Sequence, residues 1–276
     1  MIDTHAHIHD EKFEDDRDEV ITRARENGIE SIITVGTSIE ESRLAIDTAK
    51  KYKGFLYAMV ASHPHEYSKL PNKETRILWK ETMKTLAKES CVVAIGECGL
   101  DYHDFGKSIT EEQKQSQKEG FLDHIQLALE MGKPLVVHCR EAYEDAFEIL
   151  REYSSKLPSL IFHCYQGDEE ITKKFLSLEG NIFFSFAGNI TYPVKKDAQG
   201  TKDDSHLVVN LIPLEKIIVE TDCPYLSPQK FRGKRNEPAF ISSTLEFLAE
   251  LRGISFEELE RKTQKTSQEI FSLFKV

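Results

Sequence analysis

The sequence begins with two histidines separated by a single residue, His5 and His7, in the segment Ile-Asp-Thr-His-Ala-His. Side chains alternate along a β-strand, so a strand places both imidazoles on one face, whereas a helix turns them in different directions. Neutral imidazole is the commonest protein ligand for metal ions. The spacing therefore predicts a metal-binding strand, although surface or core histidines would explain the same pair.

Four further residues of metal-ligating type end later hydrophobic runs of the chain: Glu97, His138, His163 and Asp222. Four imidazoles and two carboxylates around one cavity suit two divalent cations, and a carboxylate is able to bridge them. Imidazole favours zinc, whereas carboxylate and water also accept manganese or magnesium. Ion-paired or hydrogen-bonded polar residues would explain any one of the six. Together they predict a metal centre.

Eight short runs rich in Val, Ile and Phe predict the strands that position these ligands. They are Ile2–His7, Ser31–Gly36, Leu56–Ser62, Val92–Glu97, Pro134–His138, Leu160–His163, Asn181–Phe186 and Lys216–Asp222. Each is followed by a helical pattern, and nearly continuous hydrophobicity is typical of parallel strands buried on both faces. This α/β alternation predicts a (β/α)8 TIM barrel as a single domain over residues 1–276, with an open doubly wound sheet as the alternative.

Local signals mark several helices and one loop. Ser38, Thr110 and Ser255 each begin a capping-box pattern, which predicts a helix start. The tail over 237–274 is expected to form two closing helices of the same domain. Residues 195–204 are the most polar and turn-rich segment, which predicts an exposed loop.

Composition limits the possible locations and partners. The 276 residues are 39% hydrophobic, so the chain can bury a sizeable core. No apolar run reaches membrane-spanning length, and a strand at the N-terminus leaves no room for a signal peptide. Five cysteines without small-scaffold spacing indicate free thiols and a cytoplasmic protein. The net charge of −11 argues against polybasic coating of nucleic acid, but not against an enzyme whose metal ions hold one phosphate.

Seven ordered motifs carry a resemblance to a known family. They are Ile-Asp-Thr-His-Ala-His at the start, His-Pro-His at 63–65, Gly-Glu-Cys-Gly-Leu-Asp-Tyr at 96–102, Val-His-Cys-Arg at 137–140, His-Cys-Tyr at 163–165, Glu-Thr-Asp-Cys-Pro-Tyr-Leu at 220–226 and Arg-Gly-Lys-Arg-Asn-Glu-Pro at 232–238. Over essentially its whole length the chain resembles the TatD family, metal-dependent deoxyribonucleases within the amidohydrolase-like TIM barrels.

The resemblance implies two divalent cations (Mg, Zn or Mn) and assigns their ligands. One would be held by His5, His7, Glu97 and Asp222, and the other by Glu97, His138 and His163. Glu97 would then bridge the two cations. Two neighbouring cations lower the pKa of a shared water. Asp222 is placed to take the proton as general base, and the resemblance implies the same catalytic role.

Candidates for substrate binding surround these ligands. They are His63 and His65 after the third strand, Arg140 after a ligand, Tyr225 and Arg235 after the last strand. An arginine offers a bidentate fork to phosphate, and a tyrosine can stack on an unpaired base. Each has a structural alternative: a solvated histidine, a salt bridge of Arg140 with Glu141 or the following helix, packing of the tyrosine ring, or a solvated basic surface.

Three functions remain open at this point. The leading one is a metal-dependent deoxyribonuclease, acting as an exonuclease on single-stranded DNA ends, as a monomer or weak homo-oligomer without a membrane partner. The second is an amidohydrolase-type hydrolase of a C–N or ester bond, such as an aminoacyl-tRNA deacylase. The third is a catalytically inactive binding module. The intact ligand set counts against the third, and the cations after the last strand favour phosphate over a neutral amide.

Overall fold

The computed structural model describes residues 1–70, 72–104, 107–194 and 205–273. Eight strands form one sheet and pair in chain order from β1 to β8. They are β1 Ile2–Ala6, β2 Ser31–Gly36, β3 Leu56–Val60, β4 Val92–Asp101, β5 Leu135–Arg140, β6 Leu160–Phe162, β7 Ile182–Phe186 and β8 Ile217–Val219. The pairs β3–β4, β4–β5, β5–β6 and β7–β8 are parallel, as the hydrophobic runs predict.

Helices alternate with these strands. They are α1 Arg17–Glu26, α2 Ile39–Lys51, α3 Pro64–Tyr67, α4 Lys73–Ala87, α5 Glu111–Met131, α6 Tyr143–Leu150, α7 Glu169–Leu176, α8 Ser205–Leu211, α9 Ile241–Arg252 and α10 Phe256–Phe271. The predicted N-caps are confirmed, because the side chains of Ser38, Thr110 and Ser255 accept backbone hydrogen bonds from the third residue of α2, α5 and α10. The two closing helices are also confirmed. The loop predicted over 195–204 lies outside the described residues.

The chain forms two compact units. The first comprises Met1–Ile33, Cys164–Ser177 and Phe183–Val276, and the second comprises Thr34–His163 and Leu178–Ile182. A single domain over the whole chain therefore stays a prediction. Within the first unit the first and last strands are neighbours, since the hydroxyl of Thr4 donates to the carbonyl of Val219 at 2.9 Å. None of the helices in the described part of the chain has the length and apolar character needed to cross a membrane.

Most predicted strand ends are shifted by one or two residues, and those of β4 and β8 are shifted further. Strand β4 continues past Glu97 to Asp101, so it places a second carboxylate on the strand. Strand β8 ends at Val219, and Asp222 lies beyond it with a φ of 56°. The prediction that the last strand runs to Asp222 is therefore wrong, because a residue in the left-handed region cannot continue a strand.

A buried histidine fixes the end of β3. Nε2 of His124 accepts a hydrogen bond from the N–H of Ser62 at 2.9 Å, and its Nδ1 lies 2.6 Å from the carbonyl of Gly120. The ring also packs against Trp79 with centroids 4.6 Å apart. Because Nε2 accepts a hydrogen bond, the imidazole is neutral, and burial lowers the pKa of His124 to about 4. The interaction ties α5 to the segment that leads into His63.

We expect His124 to make the protein sensitive to acid. Its pKa is lower in the folded state, so the unfolded state binds the extra proton first, and stability falls as the pH drops from about 6.5 to about 4. The expected loss from this group is about 3 kcal/mol. Urea unfolding of metal-stripped wild type and His124→Gln at several pH values measures it. The variant should show a shallower slope over this range, and equal slopes would contradict the assignment.

Candidate metal centre

In the first unit, the end of β1 and the segment after β8 bring two imidazoles to one carboxylate. Nε2 of His5 lies 3.7 Å from Oδ1 of Asp222, and Nε2 of His7 lies 3.4 Å from the same oxygen. The ring centroids of the two histidines are 5.4 Å apart, and His5 is fully buried. These three residues, here called the His–Asp cluster, offer two nitrogens and a carboxylate to one small volume.

Hydrogen bonds hold Asp222 beside the histidines. Its N–H donates to the carbonyl of His5 at 2.8 Å. The buried carboxylate of Asp3 accepts from the N–H of Thr221 at 2.9 Å and from its hydroxyl at 2.5 Å. Burial raises the pKa of Asp3 to about 7, although these hydrogen bonds oppose the shift. The bonds fix a turn whose positive φ is rare for a residue with a side chain.

An exposed aromatic ring lies next to the His–Asp cluster. Tyr225 packs edge-on against His7 with centroids 5.9 Å apart, and 46% of its surface is exposed. The ammonium of Lys12 lies 4.3 Å from the centre of the tyrosine ring. Tyr165, in contrast, is buried and packs against Phe184 in the core. Of these two tyrosines, Tyr225 is therefore the one available for contact with a substrate.

In the second unit, one carboxylate oxygen faces three imidazoles. Oε1 of Glu97 lies 2.7 Å from Nδ1 of His138, 3.5 Å from Nε2 of His163 and 3.8 Å from Nε2 of His63. Glu97 is buried, and the rings of His63 and His138 are 4.7 Å apart at their centroids. These four residues are here called the Glu97 cluster.

The backbone of β4 allows Glu97 to lie close to His138. The pairing of β4 with β5 shifts register between Ile95 and Cys98, which is typical of a bulge that redirects a side chain. A Cβ at Gly96 would lie 2.6 Å from Cβ of Val136, and a Cβ at Gly99 would lie 2.1 Å from the carbonyl oxygen of His138. Both glycines also have positive φ. Only glycine therefore allows β4 to come close enough to β5 to present Glu97 to His138.

The imidazoles of the second unit differ in charge. Burial lowers the pKa of His63 to about 3, so this ring is neutral. Burial alone would also lower the pKa of His138, but hydrogen bonds with Asp101 and Glu97 outweigh it and raise the pKa to about 9. Burial alone would raise the pKa of Asp101, but hydrogen bonds from His138 and His65 hold it well below its usual range. The carboxylates thus create a negative environment that favours cations.

The nitrogen and oxygen atoms of the two clusters fit divalent metal ions as ligands. Each cluster combines imidazole nitrogens with a carboxylate oxygen, which is the ligand set that zinc prefers and that manganese also accepts. In the second unit, ligand atoms of His63, Glu97 and His138 all lie within 4.8 Å of one another. The His–Asp cluster has the same composition at similar distances. The residues of both clusters therefore fit a divalent cation in their chemistry, and the assignment of the ligands stays a prediction.

The predicted substrate-binding residues differ from one another in their exposure and contacts. Nε2 of His65 lies 3.4 Å from Oδ2 of Asp101, and Arg140 is exposed at the end of β5. The guanidinium of Arg235 makes two hydrogen bonds to Asp16, at 2.8 and 2.6 Å, and lies over the ring of Phe13. Contact of these residues with a substrate stays a prediction. The ion pair of Arg235 with Asp16 is a contact that the sequence does not predict.

Asp3 and Asp101 are buried carboxylates near the clusters that were not assigned from the sequence. Asp3 precedes His5 by two residues, and Asp101 follows Glu97 by four. An even spacing along a strand places residues on the same face, and this signal could have identified both. Asp101 lies beyond the hydrophobic run that predicts its strand, so the predicted strand does not include it.

The sequence matches a family model and is similar to bacterial proteins. The family model described as "TatD related DNase" matches residues 2–272. An uncharacterized metal-dependent hydrolase, YabD of Bacillus subtilis, is 36% identical over 273 residues, which cover 99% of both chains. The 3'-5' ssDNA/RNA exonuclease TatD of Pantoea ananatis is 32% identical over 277 residues, covering 99% of this chain and all of that protein.

Solved structures confirm the predicted fold class. The structure of YJJV, a TatD homologue from Escherichia coli K12, superposes with a TM-score of 0.84 at 24% identity and covers 99% of this chain and 98% of its own. An uncharacterized amidohydrolase from Saccharomyces cerevisiae also gives a TM-score of 0.84, at 20% identity, over 98% of this chain and 99% of its own. Together with the eight-stranded sheet in chain order, these superpositions confirm the (β/α)8 barrel.

Proposed function

Because the chain belongs to the TatD related DNase family of metal-dependent hydrolases, we propose that it is a deoxyribonuclease that removes nucleotides from single-stranded DNA ends. The observation that carries the proposal is the pairing of imidazoles with a carboxylate in both units, at residues that lie on barrel strands or shortly after them. Active sites of this fold lie at the carboxyl ends of the strands. The relative from Pantoea ananatis is named for the same class of substrate.

Different residues are proposed to hold the cations and to accept the proton. His5, His7 and Asp222 would hold one divalent cation, and Glu97, His138 and His163 another, with magnesium, zinc and manganese as candidates. When bound, such cations make water more acidic and neutralise charge on the phosphate. Asp222 would accept the proton of the attacking water, because it supplies the carboxylate of the His–Asp cluster. The bridging role of Glu97 remains a prediction.

Neighbouring residues are proposed to hold the nucleic acid. The exposed ring of Tyr225 beside His7 is suited to stacking on an unpaired base. His63, His65 and Arg140 would contact phosphate, for which a guanidinium offers two parallel hydrogen bonds. The cysteines of the described residues are all free thiols, which supports a cytoplasmic enzyme. We propose that it acts as a monomer or weak homo-oligomer.

The experiment that tests this function compares substrates at controlled metal content. Purified protein is stripped with a chelator, then reloaded with magnesium, manganese or zinc. Single-stranded DNA labelled at the 5' or 3' end, the matching RNA and duplex, an aminoacyl ester and a panel of amides are then offered. We expect stepwise, metal-dependent shortening of single-stranded DNA. Hydrolysis confined to the amides or the aminoacyl ester would replace the proposal with the amidohydrolase-type function.

Asp222→Asn separates chemistry from binding. The substitution keeps an oxygen ligand and nearly the same volume, but it removes the negative charge and the ability to accept the proton. Turnover should fall by about two to four orders of magnitude, whereas substrate affinity should change far less. Steady-state kinetics on a short oligonucleotide, with metal content measured for each protein, tests this. Near-normal turnover in a fully metallated variant would remove Asp222 from the catalytic role.

Arg235→Ala tests whether the basic segment after β8 binds DNA. The loss of a phosphate contact should weaken binding and reduce the slope of log affinity against log salt by about one, while turnover at saturation stays unchanged. Asp16→Asn is the matched control, because it breaks the same ion pair but leaves the guanidinium in place. It should bind DNA at least as tightly as wild type. Equal losses in both variants would show that the ion pair has a structural role only.

A further inference from the structure

We propose that Asp101 is a positioning residue that presents Nδ1 of His138 to a cation in the Glu97 cluster. The inference rests on the proposed metal-dependent function and adds a residue to it. Asp101 is 4% exposed and lies on β4, four residues beyond Glu97. Its carboxylate therefore faces the cluster without being one of the predicted ligands.

The geometry defines which nitrogen of His138 keeps its proton when a cation binds. Oδ2 of Asp101 lies 3.1 Å from Nε2 of His138. An ionised carboxylate only accepts hydrogen bonds, so Nε2 must donate. Nδ1 lies 2.7 Å from Oε1 of Glu97 and donates to it in the protonated ring. A cation would take the place of this Nδ1 proton, because Asp101 keeps the other proton on Nε2.

Asp101 is itself held rigidly. Its backbone N–H donates to Oε1 of Gln117 at 2.8 Å, and Nε2 of Gln117 donates back to the Asp101 carbonyl at 2.9 Å. Its second carboxylate oxygen accepts from the N–H of His103 at 2.9 Å. Gln117 is buried on α5, so these bonds fix both the backbone and the carboxylate plane. Such fixed partners are what a residue needs to orient a metal-binding ring.

A purely structural role of Asp101 predicts a different result. A carboxylate that orients a ligating histidine also raises the basicity of the ring, and its loss typically lowers metal affinity about 10–100-fold. A carboxylate that only stabilises the fold would lower thermal stability and leave the affinity of the folded protein unchanged. Nε2 of His65 lies 3.4 Å from the same oxygen, but it is His138 that also contacts Glu97. The expected effect is therefore on the Glu97 cluster.

Asp101→Asn distinguishes the two roles. The variant keeps the size of the side chain but can turn its amide N–H toward His138, which would move the ring proton to Nδ1. Zinc affinity, measured by competition with a chromogenic chelator, should fall about 10–100-fold for one of two equivalents. Asp123→Asn is the control, because it removes a carboxylate that accepts a hydrogen bond from Tyr67 elsewhere in the same unit. It should bind zinc as wild type does. Wild-type zinc affinity in Asp101→Asn would overturn the inference.

A measurement on the wild-type protein tests the inference even if Asp101→Asn does not fold. In the zinc-loaded protein labelled with 15N-histidine, His138 should show a protonated Nε2 and a metal-bound Nδ1. A metal-bound Nε2 would overturn the inference. The nuclease assay on the same samples keeps the two proposals apart. If wild type binds zinc in this way but cleaves no nucleic acid, the proposed function fails while the role of Asp101 stands.

Discussion

One buried carboxylate oxygen, Oε1 of Glu97, faces three imidazole nitrogens between 2.7 and 3.8 Å away. An ionised group removed from water costs several kcal/mol unless it is paired and hydrogen-bonded. This requirement explains the backbone around it, since Gly96 and Gly99 allow β4 to approach β5 where any side chain would collide. The strands, the bulge and the helix that carries His124 all serve to bring these groups together.

In the first unit, a turn places the carboxylate beside its imidazoles. Asp222 adopts a positive φ, and backbone strain of this kind persists only where surrounding bonds determine it. Asp3 supplies two of these bonds through Thr221, and the backbone of His5 supplies a third. β1 and the residue His7 just after it thus carry the imidazoles, and β1 also holds the carboxylate that faces them. A short segment at the start of the chain therefore organises the whole His–Asp cluster.

The sequence predicted most of the fold because alternating hydrophobic runs and helix caps are local signals. Candidate ligands were recognisable because they follow those runs. The position of Asp222 beyond its strand was not predictable in this way, since a left-handed turn at a non-glycine residue has no local pattern. The ion pair between Arg235 and Asp16 joins residues 219 positions apart, so no spacing rule reveals it. Asp101 was missed because its strand is longer than its hydrophobic run.

The two histidines nearest each other in the Glu97 cluster are prepared for different partners. His63 is the N-cap of α3, and its Nδ1 accepts a hydrogen bond from the N–H of His65. Its proton is therefore on Nε2, the nitrogen that faces Glu97, so the ring offers a donor there. In His138 it is Nδ1 that faces Glu97, and because Asp101 accepts from Nε2, Nδ1 is the nitrogen that would offer a lone pair to a cation. A donor suits an anionic oxygen and a lone pair suits a cation. The local hydrogen bonds thus favour the proposed division between His63 as a phosphate contact and His138 as a metal ligand.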